Sequence, residues 1–203
     1  MTAARARGLL IAFEGLDQSG KQTQAEALVR HFATLGQGCR LLSFPDYSTP
    51  IGAEIGKGLQ GGRDYGPDVM QLLYVANRHE KKPDIVRALD EGVAIVCDRY
   101  VASSIAYGEA HGLDAAWLEE IQRFLPPPDV CLLLDIAPET AAARKKTGRD
   151  RYERDLALLS RVRASYHRQA AASSAWVLLD GNRPREAVQA DVISAIAPRL
   201  APR

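Results

Sequence analysis

The sequence lacks any hydrophobic run long enough to cross a membrane, since no stretch of about 18 apolar residues occurs in the chain. The short apolar run at residues 9–13 ends at Glu14 and lacks the length and the small-residue cleavage site of a signal peptide. Cysteine is also scarce. Cys39, Cys97 and Cys131 lie far apart in apolar segments, which predicts buried thiols in a reducing compartment. These features predict a cytoplasmic protein with no membrane partner.

An excess of charge of either sign is missing as well. The chain has 26 basic and 25 acidic residues, so no basic excess is present to drive binding to the phosphates of a nucleic acid. The four histidines are scattered and show no zinc-binding spacing. With 46% apolar and 25% charged residues, the composition is typical of a globular protein. A length of 203 residues predicts a single domain, residues 1–203, that buries its own core.

Five short runs are apolar almost throughout, as expected for strands that are covered on both faces. These runs are Leu9–Glu14, Cys39–Phe44, Val93–Asp98, Val130–Asp135 and Trp176–Asp180. Longer segments with helical spacing follow them, at Lys21–Leu35, Pro67–Leu89, Leu113–Leu125, Glu153–Ala172 and Arg185–Ile196. Pro83 is expected to kink or divide the second of these helices. The alternation predicts an α/β fold with a doubly wound, five-stranded parallel sheet and helices on both faces.

The first predicted strand leads into a loop bounded by glycines and followed by a lysine. Its residues are Gly15, Leu16, Asp17, Gln18, Ser19, Gly20, Lys21, Gln22 and Thr23. This spacing between a strand and a helix is typical of the phosphate-binding loop of P-loop NTPases. Glycines let backbone N–H groups surround the phosphates, the helix N-terminus adds partial positive charge, and Lys21 reaches the transferred phosphoryl group. We therefore predict that residues 15–23 bind ATP.

The residue after Lys21 departs from the usual pattern. A Ser or Thr hydroxyl normally holds Mg²⁺ at this position, and here the residue is Gln22. Thr23 does not substitute for it, because one step along a helix rotates the side chain by about 100°. Mg²⁺ is then expected to be held by water, by phosphate oxygens and by Asp17.

The P-loop is the first of five segments that follow one another in a fixed order: Phe13–Lys21, Phe44–Tyr47, Leu72–Arg78, Asp98–Ser104 and Arg149–Glu153. This ordered set resembles the thymidylate (dTMP) kinase family, and the resemblance covers residues 9 to about 196. The resemblance implies transfer of a phosphoryl group from ATP to dTMP, giving ADP and dTDP. It also implies Mg²⁺ as the cofactor and a homodimer as the usual assembly.

The resemblance assigns the acceptor phosphate to Arg99, which follows Asp98 at the end of the third predicted strand. A guanidinium group grips a phosphate through two parallel hydrogen bonds, which an ammonium group does not. A local ion pair with Asp98 is the alternative role. Asp17 falls where the family has an acidic residue near the acceptor, and it could orient either the acceptor or the metal. We count Asp17, Lys21 and Arg99 as candidate catalytic residues.

The base and the sugar are assigned to residues downstream in the same way. Tyr74 and Arg78 share one face of a predicted helix, and the resemblance implies stacking on thymine and a contact with its O4. Without the resemblance, Tyr74 would be taken as a core residue and Arg78 as a solvated charge. By the same resemblance, Ser104 is expected to contact N3 of the base, and the ring of Tyr107 is expected to lie beside the 2′ position of the sugar. The complete predicted dTMP-binding set is Phe44, Tyr47, Tyr74, Arg78, Asp98, Arg99, Ser103, Ser104 and Tyr107.

The loop after Pro45 departs from the family pattern, whereas a basic segment farther along the chain resembles a feature of the family. Family members usually carry an arginine in one of the two positions after Pro45, whereas this chain has Asp46 and Tyr47. A basic segment at about residues 144–152 resembles a lid that supplies arginines to the γ-phosphate, although most basic runs are solvated loops. Arg149 and Arg151 are the predicted catalytic arginines, because the P-loop has Gln18 where some family members have arginine.

Three other functions are alternatives to this one. A switch-type GTPase would need an Asn-Lys-x-Asp motif, which this chain does not contain. A kinase acting on another nucleoside monophosphate or on a nucleoside would differ chiefly at Tyr74, Arg78 and Ser104. An inactive nucleotide-binding relative is favoured by Gln22 and by the missing arginine beside Asp46, while retention of Lys21 argues against it.

Overall fold

Every strand pair in the sheet is parallel. The computed structural model describes residues 6–144 and 155–200. Its strands are β1 Leu10–Glu14, β2 Cys39–Ser43, β3 Ala94–Asp98, β4 Val130–Asp135 and β5 Trp176–Asp180, in the order β2-β3-β1-β4-β5. The predicted five-stranded parallel α/β fold is therefore confirmed. Because β1 is central and its neighbours connect in opposite directions, its carboxyl end lies at the point where such sheets bind ligands.

The described residues contain eight helices. They are α1 Lys21–Thr34, α2 Pro50–Leu59, α3 Pro67–Asp90, α4 Val101–Ala110, α5 Ala115–Glu120, α6 Pro138–Arg144, α7 Leu156–Ala171 and α8 Arg185–Leu200. None of these helices is long and apolar enough to cross a membrane.

The two faces of the sheet bury separate apolar clusters. On one face, Ile11 and Phe13 of β1 pack with apolar residues of α1 and α8. On the other face, Leu10 and Ala12 pack with residues that include Ile85 of α3. All of β1 is completely buried. The central strand that leads into the P-loop is thus fixed from both sides, as its continuous apolar run predicts.

Several local predictions need correction. Helices α2, α4 and α6 were not predicted, and the helix expected at Leu113–Leu125 is limited to α5, after which the chain forms turns. Helix α3 runs without interruption through Pro83, so of the two expected effects, a kink or a division, the division does not occur. Cys97 and Cys131 are buried thiols as predicted, whereas Cys39 is partly exposed.

Candidate active site

The P-loop has the backbone geometry that its glycines predict. Gly15 and Gly20 have φ values of 134° and 96°, in a region that favours glycine. A Cβ atom on Gly15 would lie 2.5 Å from the carbonyl oxygen of Leu134 in the neighbouring strand. Gly20 precedes the first residue of α1, so the free N–H groups at the start of this 14-residue helix face the loop. This arrangement favours binding of a phosphate group.

Lys21 is a buried cation at the start of α1. Its side chain is 5% exposed, and Nζ donates a hydrogen bond of 2.7 Å to the carbonyl oxygen of Leu16 inside the loop. Burial and the nearby Arg99 lower the pKa of Lys21 to about 8, although carboxylates including Asp17 and Asp98 oppose the shift. The structure thus places the predicted cation at the phosphate-binding loop.

The residue that replaces the usual magnesium ligand lies on the helix surface. Gln22 is exposed, and its Nε2 donates to Glu26 Oε1 at 3.0 Å. Two carboxylates flank Lys21 instead. Asp17 is one, and Asp98 is the other, with a buried Oδ1 that has no hydrogen-bond partner in the described part of the chain. Carboxylate oxygens are ligands that Mg²⁺ accepts together with water and phosphate, so these two residues fit the ion.

Arg99 forms an ion pair with Asp17 rather than with its neighbour Asp98. The Nη2–Oδ1 distance to Asp17 is 2.7 Å, and Arg99 also donates to Ser103 Oγ at 3.1 Å. Burial raises the pKa of Asp17, but the charges of Arg99 and Lys21 outweigh burial and hold it well below its usual value. Asp17 therefore carries a negative charge between two cations.

The backbone of Arg99 positions its side chain beside the P-loop. Its φ of 64° lies in the left-handed region, and its N–H donates to the carbonyl oxygen of Phe13 at 2.9 Å. Its guanidinium carbon lies 5.2 Å from the ring centre of Tyr107, whose hydroxyl is 3.3 Å from both Arg99 Nη2 and Asp17 Oδ2. These contacts connect the segment after β1 with the segment after β3 and with α4.

Glu14 is a functional candidate that sequence reasoning missed. It is fully buried at the end of β1 and accepts hydrogen bonds from the backbone N–H of Tyr100 at 2.9 Å and from Ser103 Oγ at 2.6 Å. The hydroxyl of Tyr166 donates to Glu14 at 3.2 Å and also accepts from Arg99 at 3.2 Å. Burial raises the pKa of Glu14, and the hydrogen bond from Ser103 and the charge of Arg99 partly offset this rise. A charged residue at the end of an otherwise apolar strand was the available signal.

A second buried arginine lies deeper in the site. Arg78 is 3% exposed, and its Nη1 donates to Ser104 Oγ at 2.8 Å and to Gln122 Oε1 at 3.2 Å. Its Nε is buried without a partner within the described ranges. Ser103 and Ser104 lie at the start of α4. Arg78 thus contacts Ser104, and both residues belong to the predicted dTMP-binding set.

The predicted acceptor-binding residues line one pocket of about 620 Å³, a volume that includes space open to solvent. Of the nine predicted residues, eight line this pocket; Asp98 does not. Asp17 lines it as well. Sequence reasoning missed four lining residues. The complete lining is Asp17, Phe44, Pro45, Tyr47, Leu59, Gln71, Tyr74, Arg78, Arg99, Ser103, Ser104, Tyr107 and His111.

The loop after β2 is held in place by the buried side chain of Asn77. Asn77 Oδ1 accepts from the Asp46 backbone N–H at 2.7 Å, and its Nδ2 donates to the Asp46 carbonyl at 3.2 Å and to Thr49 Oγ1 at 2.9 Å. The Asp46 carboxylate pairs with Lys81 at 2.8 Å. Hydrogen bonds from Lys81 and Ser48 lower the pKa of Asp46 to about 2. Asp46 therefore stabilises the conformation of the loop. The residues of this segment that line the acceptor pocket are Phe44, Pro45 and Tyr47.

The basic segment at 144–152 lies mostly outside the described residues, including Arg149 and Arg151. Arg144 is described at the end of α6. Its guanidinium donates to the carbonyl oxygens of Gln18 and Gly181, each at 3.0 Å. The start of the predicted lid is thus attached to the P-loop.

Comparisons with known proteins agree with this geometry. A family model described as Thymidylate kinase matches residues 13–192. The thymidylate kinase of Homo sapiens is 35% identical over 191 residues, which cover 94% of this chain and 90% of the human protein. That of Thermomicrobium roseum is 36% identical over 195 residues, covering 91% and 92%. The solved structure of thymidylate kinase from Candida albicans is 30% identical with a TM-score of 0.82, covering 95% and 92%. The chain therefore belongs to the thymidylate kinase family.

Proposed function

We propose that the protein transfers the γ-phosphoryl group of ATP to dTMP, giving ADP and dTDP. The observation that carries this proposal is the Arg99–Asp17 ion pair, which joins the P-loop to the wall of the acceptor pocket at 2.7 Å. A donor phosphate in the loop and an acceptor phosphate in the pocket would both lie beside Arg99. Phosphoryl transfer requires mainly that two such groups be aligned and their charge neutralised.

On the donor side, the P-loop residues 15–23 bind the phosphates of ATP. The N–H groups at the start of α1 and the ammonium group of Lys21 stabilise the charge that develops during transfer. Lys21 exchanges its bond with the Leu16 carbonyl for a phosphate oxygen. Arg149 and Arg151 supply further positive charge from the lid, residues 144–152.

On the acceptor side, Arg99 binds the dTMP phosphate, and Tyr47 at the mouth of the pocket offers a hydroxyl to it. Tyr74 stacks on thymine, while Arg78 donates to O4 with Ser104 beside it. Phe44 completes the apolar wall. Ser103 fixes Arg99 rather than the base, because its hydroxyl donates to Glu14 and accepts from Arg99.

Mg²⁺ is the proposed cofactor, and it would neutralise charge on the transferred phosphates when bound. Asp17 and Asp98 are the residues that would hold it, through oxygens and bound water. Asp17 also orients Arg99 through their ion pair. The surrounding apolar residues keep water away from the reacting groups, which strengthens each of these interactions.

The proposed assembly is a homodimer formed through α3. The outer side of this helix exposes Val69, Leu72 and Val86 by 38%, 47% and 39%. In an antiparallel arrangement of two copies of α3, Val69 faces Val86 and Leu72 faces the exposed Pro83 of the other copy. The same arrangement brings Asp68 near Arg87, which pairs with Asp84 in the single chain. The surface is thus self-complementary, as a two-fold interface requires.

We also propose a cytoplasmic location and a single domain spanning residues 1–203. The free, buried thiols of Cys97 and Cys131 support a reducing environment. All described strands belong to one sheet, which supports the single domain.

The test of the reaction is ADP release in the presence of ATP and Mg²⁺, with dTMP, dUMP, UMP, dCMP, AMP and GMP offered separately. Preferential turnover of dTMP is expected. Preference for another acceptor would favour the alternative nucleoside monophosphate kinase, and binding of dTMP without turnover would favour the inactive relative.

Replacing the P-loop cation tests the donor site. Lys21→Ala should lower kcat by at least about a hundredfold without unfolding the protein, because one charge contact in the transition state is lost. Lys57→Ala removes an exposed lysine of α2 and should leave kcat unchanged. Near-normal turnover by Lys21→Ala would contradict the role of Lys21.

A further inference from the structure

One polar side chain in the acceptor pocket has no hydrogen-bond partner among the described residues. Gln71 is 3% exposed and lines the pocket, and its Oε1 is buried and unpaired. An amide oxygen that loses water and gains no partner destabilises the folded state. Such an atom in a binding pocket is explained when a bound molecule supplies the missing donor.

The position of Gln71 on α3 supports this explanation. Gln71, Tyr74 and Arg78 follow the i, i+3, i+7 spacing of one helix face, and all three line the pocket. Two other buried amides near this site are paired within the chain. Asn77 holds the Asp46 backbone, and Gln122 accepts from Arg78 while donating to the Leu118 carbonyl at 2.9 Å.

We propose, on the basis of the function proposed above, that Gln71 is a specificity-determining residue whose Oε1 accepts a hydrogen bond from the acceptor nucleotide. The guanidinium group of Arg78 has hydrogen-bond donors and no acceptor, so it does not pair with a hydrogen-bond donor on the ligand. Thymidine monophosphate offers two donors, the base N3–H and the sugar 3′-hydroxyl. A nucleotide without the matching donor would leave the Gln71 oxygen buried and unpaired, which is a strong basis for rejection.

The test replaces Gln71 with methionine, which keeps the length of the side chain and removes its polar atoms. The KM for dTMP should rise by about tenfold, while kcat and the KM for ATP stay within about twofold. The midpoint of thermal unfolding should not fall, because the amide oxygen that is removed had no partner. A structural role would instead lower this midpoint.

Gln24→Met is the matched control. Gln24 is also 3% exposed with an unpaired Oε1, but it lies on α1, outside the pocket lining, and its Nε2 donates to the Arg185 carbonyl at 2.9 Å. This variant should lose stability and keep its KM for dTMP. A KM within about twofold of wild type for Gln71→Met, or a fall in its midpoint as large as that of Gln24→Met, would overturn the proposal.

Comparison of dTMP with 3′-deoxythymidine monophosphate identifies the donor. If the KM penalty of Gln71→Met disappears with the 3′-deoxy acceptor, the 3′-hydroxyl is the donor; if it persists, N3–H is the donor. Either result supports the proposal. Failure of the wild-type protein to phosphorylate dTMP would contradict the proposed function itself, and this outcome is separate from any effect of the variant.

Discussion

At the scale of single residues, Lys21 is a buried ammonium group whose charge changes near neutral pH. Its pKa is lowered to about 8, chiefly by burial. In the free enzyme, kcat/KM for ATP should therefore fall as the pH rises through about 8, because the neutral amine no longer attracts phosphate. The measurement is kcat/KM for ATP from about pH 6.5 to about pH 9.5.

The control for this profile is Lys21→Arg, whose guanidinium does not titrate in that range. Persistence of the same decline in this variant would assign it to another group. The effect on stability has the opposite sign. Because the unfolded chain binds the proton more tightly than the folded one, the contribution of Lys21 to the free energy of unfolding rises between about pH 8 and about pH 10.5.

Tyr107 should control discrimination against ribonucleotides. Its ring is fixed by the Arg99 guanidinium at 5.2 Å and lines the acceptor pocket, beside the proposed sugar 2′ position. Tyr107→Ala should lower the ratio of kcat/KM for the deoxy acceptor to that for its ribose analogue by about tenfold, since the steric block is removed. Tyr107→Phe keeps the ring and should keep the ratio. An unchanged ratio in Tyr107→Ala would remove this role.

At the scale of elements, α2 lies directly against the loop after β2. A Cβ atom on Gly52 would approach the Asp46 carbonyl oxygen to 1.8 Å, whereas one on Gly56 meets the Tyr47 ring at 3.6 Å, an ordinary contact. Gly52→Ala should therefore displace the loop, raise the KM for dTMP, and cost about 1–3 kcal/mol of stability.

Gly56→Ala is the matched control in the same helix. It should keep the KM for dTMP and increase stability by about 0.5–1 kcal/mol, because alanine favours the helix. Chemical denaturation and steady-state kinetics measure both effects. Equal behaviour of the two variants would show that α2 does not position the loop.

The predictability of each element depended on whether its signal is local. The backbone of the P-loop and the positions of the five strands were predicted because glycine spacing and apolar runs appear directly in the sequence. The expectation that every strand is covered on both faces was wrong for the edge strands β2 and β5, which are partly exposed. Helix α2 was missed because its three glycines have low helix propensity, although Thr49 and Pro50 form a recognisable start. The prediction of a long helix over residues 113–125 was wrong. The chain forms turns after α5, and Phe124 in these turns is 62% exposed.

The residues of the candidate site show the same difference between local signals and long-range packing. Lys21, Arg99 and Arg78 were found through motifs, but Gln71 and Leu59 line the pocket because separate helices pack together, which no local pattern records. Glu14 lies within the segment Phe13–Lys21, but no role was predicted for it, because that role depends on Ser103 and Tyr166, which are distant in sequence.

At the scale of the whole molecule, the exposed face of α3 should determine the oligomeric state. Leu72→Glu places a charge at the centre of the proposed interface and should convert the proposed dimer to monomers, because an unpaired charge would be buried there. Light scattering after size-exclusion chromatography measures the mass. Leu35→Glu changes a leucine that is 48% exposed outside α3 and should leave the mass unchanged. A monomeric wild-type protein would contradict the interface.

Several buried polar atoms near the P-loop and the acceptor pocket have no hydrogen-bond partner among the described residues, which links the stability of the protein to its ligands. Ser19 Oγ lies in the P-loop, Asp98 Oδ1 lies at the end of β3, and Gln71 Oε1 and Arg78 Nε belong to residues that line the acceptor pocket. A nucleotide that pairs with them binds the folded chain and not the unfolded one, so it stabilises the fold in proportion to its concentration. Because proteases degrade the opened chain, we expect scarcity of nucleotides to shorten the lifetime of the enzyme. Its abundance would then follow the supply of its own substrates, without any change in gene expression.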